Sequence, residues 1–153
     1  MVCNEVLREQ AKELLAACRG KELKLSTAES CTGGLVAALL TDVAGSSDVI
    51  DRGFVTYTNE AKSQMLDVPL DLFESVGAVS EEVCRAMAKN ISKLGKTNMS
   101  ISVTGIAGPS GGSKKKPVGL VYIGIKKGSK ISINKYLFKN KGRSYVKKAT
   151  VNK

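Results

Sequence analysis

A serine, a tyrosine and a lysine carry the reactive chemistry this chain offers. Ser30 stands in the run LSTAESCTGGL, Leu25 to Leu35. The apolar stretch Leu23 to Ala28 reads as a buried strand, and the small polar cluster Glu29-Ser30-Cys31-Thr32-Gly33-Gly34 ends it. Leu35, Val36, Leu39 and Leu40 then open a helical pattern. The first N–H groups of such a helix have no intrahelical acceptors and carry the positive end of its dipole. A hydroxyl beside them has the geometry of a nucleophile next to an oxyanion hole, and Gly33 and Gly34 let a ligand approach the backbone. From the residues alone, a plain helix cap at Ser30 or Thr32 is the favoured reading.

A serine nucleophile needs a base, and the chain has no histidine. Ser-His-Asp and Cys-His catalysis and most zinc chemistry are thereby excluded. Lysine, tyrosine or a carboxylate remains. Val49 to Thr58, VIDRGFVTYT, is rich in β-branched and aromatic residues and predicts a strand that ends near Tyr57. Asn59 is placed to cap a helix from Glu60 to Leu66, with Lys62 in its first turns. Strand ends followed by helix starts are where α/β proteins build sites. A lysine becomes a useful base when burial or nearby positive charge disfavours its ammonium form.

The remaining elements must position these groups. A first helix, capped by Asn4, is expected to run to about Cys18 with Val6, Leu7, Leu14, Leu15 and Cys18 as its apolar stripe. Pro69 restarts a short helix ending at Gly77, and Ser80 caps another from Glu81 to Leu94. Met99 to Thr104 is a third strand, followed by the glycine-rich loop Gly105 to Pro117. That loop matches neither G-x-x-x-x-G-K-[ST] nor G-x-G-x-x-G, so neither an NTPase nor a dinucleotide oxidoreductase is expected. Its glycines still suit an anion-binding backbone nest, and Lys114 to Lys116 read as a solvated charge run. Gly119 to Lys126 and Ile131 to Phe138 predict an antiparallel hairpin around Gly128-Ser129, and a helix follows Gly142. This order implies a mixed sheet with helices on both faces.

At 153 residues the chain, 1–153, reads as a single domain. It contains no apolar run long enough to span a bilayer and no signal peptide, so no membrane association and a cytoplasmic location are expected. Cys3, Cys18, Cys31 and Cys84 are scattered and read as reduced thiols. Charge is divided unevenly: up to Glu82 there are 7 basic and 14 acidic residues, and from Val83 onward 17 basic and none acidic. Such asymmetry suits nucleic-acid contact, a phosphate-binding half or complementary faces of an oligomer. A homodimer is the expected assembly. With 5% aromatic residues and no tryptophan, nucleic-acid binding is expected to be weak at most.

The combination TAESCTGGLVAALLTDVAGSSDVIDRGFVTYTNEAKSQML, then GAVSEEV, then VTGIAGPSGG with KPVG, resembles the CinA carboxy-terminal domain family, over roughly Leu7 to Val151. This competence/damage-inducible family includes stand-alone nicotinamide-nucleotide amidases. The resemblance implies a three-layer α/β/α sandwich with a mixed, mostly parallel sheet of about five strands. It implies hydrolysis of nicotinamide mononucleotide to nicotinate mononucleotide and ammonia, with no metal or organic cofactor. The family's nucleophile falls on Ser30, and its assisting tyrosine and lysine on Tyr57 and Lys62. Substrate contacts fall on Cys31, Thr32, Gly33 and Gly34, on Thr104, Gly105, Ala107 and Gly108, and on Arg143 in KGRSYV. Ser110 in GPSGG stands where the family typically has glycine, and KGR stands where it has GDR. Many members also continue the last helix with further apolar residues. The nucleotide-processing domain of longer members has no counterpart in this sequence, so pyrophosphate cleavage is not expected.

Overall fold

A computed structural model describes residues 5–153. The predicted cap at Asn4 lies outside the described residues. The elements follow in the order α1 (Glu5–Gly20), β1 (Leu25–Glu29), α2 (Leu35–Thr41), β2 (Ile50–Val55), α3 (Asn59–Leu66) and α4 (Leu70–Ser75). Then come α5 (Glu81–Gly95), β3 (Met99–Gly105), β4 (Leu120–Lys127), β5 (Lys130–Leu137) and α6 (Arg143–Val151).

The strands form one five-stranded sheet in the order β2-β1-β3-β4-β5. β1 pairs in parallel with β2 and with β3, whereas β3-β4 and β4-β5 are antiparallel. Only β4 therefore runs against the other strands. The predicted hairpin is present, with Lys127 opposite Lys130 across Gly128-Ser129.

Side-chain alternation along β1 divides the core. Leu25 packs with Leu7, Leu15, Leu39 and Leu40 on the α1/α2 face, and Ala28 packs with Leu66, Val83, Met87 and Ile91 on the α3/α5 face. All five residues of β1 are buried, as expected for a central parallel strand covered on both sides. On α1 the buried residues Leu7, Ala11, Leu15 and Cys18 recur at helical spacing. α6 contributes Val146 to a third cluster with Val103, Val121 and Ile123. The result is the expected α/β/α arrangement.

α5 lies on a stripe of small hydroxyl residues, which permits close approach. Ser100 Oγ donates to Ala88 O (2.6 Å), Ser102 Oγ to Cys84 O (2.8 Å) and Thr104 Oγ1 to Ala78 O (2.8 Å). These bonds satisfy polar groups that burial would otherwise penalise.

From β1 the chain crosses to β2 on one side, and later to β3 on the other. The carboxyl end of β1 is therefore a topological switch point, the place where open α/β sheets leave a crevice. Ser30 is the next residue.

Some local expectations are corrected. Thr58, not Asn59, caps α3: its Oγ1 accepts from Ala61 N–H at 3.0 Å, and Asn59 is already helical. The extended β-region backbone of Thr58 lets its hydroxyl reach the third residue on. β2 stops at Val55: Thr56 N–H makes the last bond to β1, at Glu29 O (2.8 Å), and the chain then enters the cap at Thr58.

Candidate active site

Ser30 extends β1 by one hydrogen bond, its N–H donating to Val103 O at 3.0 Å, and its carbonyl accepts from Gly33 N–H at 3.0 Å. A tight turn thus hangs from the end of the central strand. Gly33 and Gly34 leave it with φ of 64° and 91°, a left-handed passage that glycine makes without strain.

Ser30 does not cap α2, and neither does Thr32. No residue at the cap position supplies a side-chain bond. The acceptor is Glu29, 1% exposed, whose carboxylate takes the N–H groups of Gly34 (3.1 Å), Val36 (3.1 Å) and Ala37 (2.8 Å). The expectation that the start of α2 offers its amides to an oxyanion is therefore corrected: those donors are already occupied. Among the described residues, the N–H groups of Cys31 and Thr32 donate to no other residue, that of Cys31 lying against its own thiol. They are the amides next to Ser30 that Glu29 does not occupy.

Lys62 reaches Ser30 from α3. Its Nζ lies 3.0 Å from Ser30 Oγ, 3.0 Å from Thr56 O and 3.4 Å from Tyr57 O. The Thr58 cap starts α3 where Lys62, one turn in, points back at the switch point. The side chain is 2% exposed and makes no ion pair among the described residues. Burial depresses its pKa from 10.5 to about 8, against a smaller opposing effect of the Cys31 thiol. In its neutral form the amine can give its hydrogens to the two carbonyls and turn its lone pair to the serine hydroxyl.

Tyr57 occupies a different place from the one a proton relay requires. The residue is 53% exposed and its hydroxyl accepts from Arg143 Nη2; it meets Lys62 only through its backbone carbonyl, and its hydroxyl is not bonded to Ser30 or Lys62. Arg143 Nη1 donates to Gly108 O at 2.9 Å. The arginine thus bridges the tyrosine and the glycine-rich loop across the mouth of the site.

Between these groups lies a cleft of about 240 Å³. Ser30, Cys31, Tyr57, Lys62 and Arg143 line it, together with Thr104, Gly105, Ala107 and Gly108. Thr32, Gly33 and Gly34 do not: Thr32 is fully buried with its hydroxyl unpaired, and Gly33 faces Lys147. The Thr104 hydroxyl is spent on Ala78 O, so this residue offers shape rather than a free donor. Gly105 is required sterically, since a Cβ there would stand 2.7 Å from Val121 Cγ2 and 3.0 Å from Cys31 Sγ. Burial pushes the Cys31 thiol up to about 11, which keeps it protonated near neutral pH and leaves Ser30 as the group with a base at hand. Lys116 departs from the solvated-run reading: its Nζ donates to Val76 O and ties the glycine-rich loop to the end of α4.

Sequence reasoning missed Asn59, Ala78, Val79 and Gly111 as lining residues, and Glu29 as the cap. Only Glu29 had a signal: an acid at the end of a strand read as buried must find donors. A larger cavity of about 400 Å³ lies on the opposite face between α1 and α6, lined chiefly by side chains such as Leu14, Val36, Met99 and Ile101, and carries no nucleophile–base pair. Among the described residues no group of His, Cys, Asp and Glu is arranged to hold a metal ion.

The comparisons with known proteins converge on this domain. The family model described as the CinA C-terminal domain matches residues 7–153. A CinA-like protein of Syntrophus aciditrophicus is 45% identical over 130 residues, 85% of this chain and 31% of its own length. One from Colwellia psychrerythraea is 50% identical over 113 residues, 74% of this chain and 26% of its own. The chain thus spans about a third or less of these curated relatives. The crystal structure of the competence/damage inducible protein CihA from Agrobacterium tumefaciens superposes with a TM-score of 0.92 at 44% identity, covering 95% of this chain and 88% of that one. A CinA superfamily protein of Escherichia coli gives 0.92 at 29% identity, covering 97% and 87%. Matched by the family model along nearly its whole length and sharing the fold of these proteins, the chain belongs to the CinA C-terminal domain family.

Proposed function

We propose that the protein is an amidohydrolase that converts the carboxamide of nicotinamide mononucleotide to the carboxylate, releasing ammonia. The observation that carries this reading is the buried Lys62 amine, without an acid partner, 3.0 Å from Ser30 Oγ. A lysine held this way is a general base for a serine, and an amide is a substrate that needs one.

In this mechanism Lys62 Nζ takes the hydroxyl proton as Ser30 Oγ attacks the carboxamide carbon. The N–H of Cys31, which follows Ser30 and lines the cleft, stabilises the oxyanion. The ammonium of Lys62 then protonates the departing nitrogen, and ammonia leaves an acyl-serine. Water, deprotonated by the same lysine, attacks that ester, and the proton returns to Ser30 Oγ as the carboxylate is released. Tyr57 and Arg143 act on substrate rather than on the proton: the tyrosine flanks the ring, and the arginine, with the backbone of the glycine-rich loop, holds the 5′-phosphate. No cofactor takes part.

The test is ammonia release by purified protein from nicotinamide mononucleotide, run beside free nicotinamide and the dinucleotide. Turnover of the mononucleotide that KM shows to be preferred supports the reading, and no release from any of the three sinks it. The basic carboxy-terminal half favours a rival reading, a DNA-binding module. A DNA face would lose about 0.9 log units of affinity per contacted phosphate for each tenfold rise in salt. A mononucleotide pocket with one arginine should show a KM that changes little. No described helix is long and apolar enough to cross a membrane, and a cytoplasmic location belongs to the same proposal, as do the free, buried Cys18, Cys31 and Cys84.

A further inference from the structure

We infer that Glu29 is the positioning residue of this site: by occupying the amides of Gly34, Val36 and Ala37, it fixes the Ser30 turn and with it the Cys31 N–H that faces the reaction. The inference rests on the serine-nucleophile reading above and deepens it.

Glu29 is the last residue of β1, and its side chain points to the α2 face while Ser30, one residue on, faces the cleft and Lys62. One carboxylate therefore ties the strand end to both the first and the fourth residues of the segment Gly34–Ala37. The backbone of Glu29 is held as well, its carbonyl accepting Thr56 N–H at 2.8 Å, and Thr56 O in turn meets Lys62 Nζ at 3.0 Å. Nucleophile, base and turn thus share one anchored residue. The turn from Ser30 to Gly33 spans the only chain between the strand end and the capped helix. Its two glycines have no conformational preference strong enough to hold it. Beside the bonds of Ser30 N–H to Val103 O and of Gly33 N–H to Ser30 O, Glu29 constrains the turn from both ends.

The carboxylate also decides which amides remain available. The three donors it takes, on Gly34, Val36 and Ala37, tie the start of α2 to the strand end and so set where the Cys31 amide stands beside Ser30. A buried carboxylate is an acceptor at every lone pair, whereas an amide in its place presents an NH₂ to one of the same donors. Glu29→Gln keeps the size and loses this uniform acceptance. Displacing an oxyanion donor typically lowers kcat by about 100-fold or more.

The experiment uses wild type, Glu29→Gln and Glu29→Asp, with phenylboronic acid as a probe that adds reversibly to an activated serine whatever the natural substrate. The tetrahedral adduct is followed by ¹¹B NMR, and the backbone amide of Cys31 by ¹⁵N NMR. Wild type should form the adduct and shift that amide downfield. Glu29→Gln, folded by circular dichroism, should form little adduct, leave that amide unshifted, and lose about 100-fold in kcat with KM changed less than about twofold. Glu29→Asp keeps the charge but loses reach, and should fall between; it carries the test if the glutamine variant does not fold. A merely structural role would lower the melting temperature and leave kcat, KM and the adduct of the folded fraction intact, and that result overturns the inference. A wild-type protein that forms no adduct overturns it too. Adduct formation without hydrolysis of nicotinamide mononucleotide would instead remove the proposed substrate while upholding the role of Glu29, provided the variants lose the adduct.

Discussion

The two charged side chains buried at the switch point are handled in opposite ways. Glu29, on the α2 face, receives three backbone N–H groups. Lys62, on the other face, meets a serine hydroxyl and two carbonyls but no carboxylate. Both are nearly inaccessible, at 1% and 2% exposure. Fully accepted, the carboxylate serves as part of the frame. Under-compensated, the lysine stays poised to give up its proton. The difference teaches that burial alone does not make a group reactive. Reactivity comes from burying a charge without enough partners to keep it, and the frame next to it can be as deeply buried and remain inert.

The most severe way to test this contrast is to remove the group that Lys62 is poised to activate. Ser30→Ala should lower amide hydrolysis by at least about three orders of magnitude with the fold intact. Initial rates of ammonia release and circular dichroism on the same sample check it, and a folded variant with most of its activity would falsify the covalent route.

Removing the base comes next. Lys62→Met should cost a comparable factor, about 1000-fold, because the serine loses its proton acceptor. What it leaves should no longer follow the wild-type pH dependence.

That dependence is itself a measurement. With the Lys62 pKa at about 8, the neutral amine grows about tenfold per pH unit below that value and levels off above it. The rate should therefore rise to a plateau through about pH 8, in a single step. A profile flat between pH 6 and 9 would show that Lys62 is not the base.

Arg143→Ala probes the rim, where charge is exposed and contacts are fewer. It should raise KM for the mononucleotide about tenfold and affect the phosphate-free riboside far less, since a charge-assisted contact to one phosphate is lost. Equal losses on both would assign Arg143 to holding Gly108 and Tyr57 in place and nothing more.

The smallest effect is on stability, and here the two buried charges should differ in sign. The folded-state pKa of Lys62 lies below its ordinary 10.5, so between about pH 8 and 10.5 the unfolded chain binds more protons. Stability should then rise with pH across that window, and the full penalty is present below about pH 8. Lys62→Met removes it, at the cost of leaving Thr56 O without its donor, for a net gain on the order of 1 kcal/mol at pH 7. Glu29→Gln should instead lose on the order of 1 kcal/mol, the usual worth of a helix cap. Thermal melts of both variants at pH 7 and 10 decide it: two variants shifting in the same direction would erase the contrast.

Most of the elements were legible because they depend on short-range patterns. The stripe through Leu7, Leu15 and Cys18 announces a helix, although Val6, read as part of it, is exposed and Ala11 is buried instead; Ser80 announces the start of α5, and Gly128-Ser129 announces a hairpin. The family motifs likewise directed attention to Ser30, Lys62, Tyr57 and Arg143, all of which line one cleft. The sequence by itself thus determined which hydroxyl and which amine the chain could use, and, through its lack of histidine, that a serine chemistry would need an unusual base.

Only the tertiary structure decided how those groups are partnered. A helix start has free amides whatever precedes it, and the acceptor is chosen by what the neighbouring strand brings near: here it is Glu29, which local capping rules do not select. The direction of a side chain at a strand end is equally open, so Tyr57 could be placed beside the serine by spacing yet turns to Arg143, 86 residues away in sequence. Lys62 and Ser30 are separated by 32 positions and meet because β2 and α3 return to the end of β1. Desolvation, which holds the Lys62 pKa below its ordinary value, is a property of everything packed around it and belongs to no stretch of sequence.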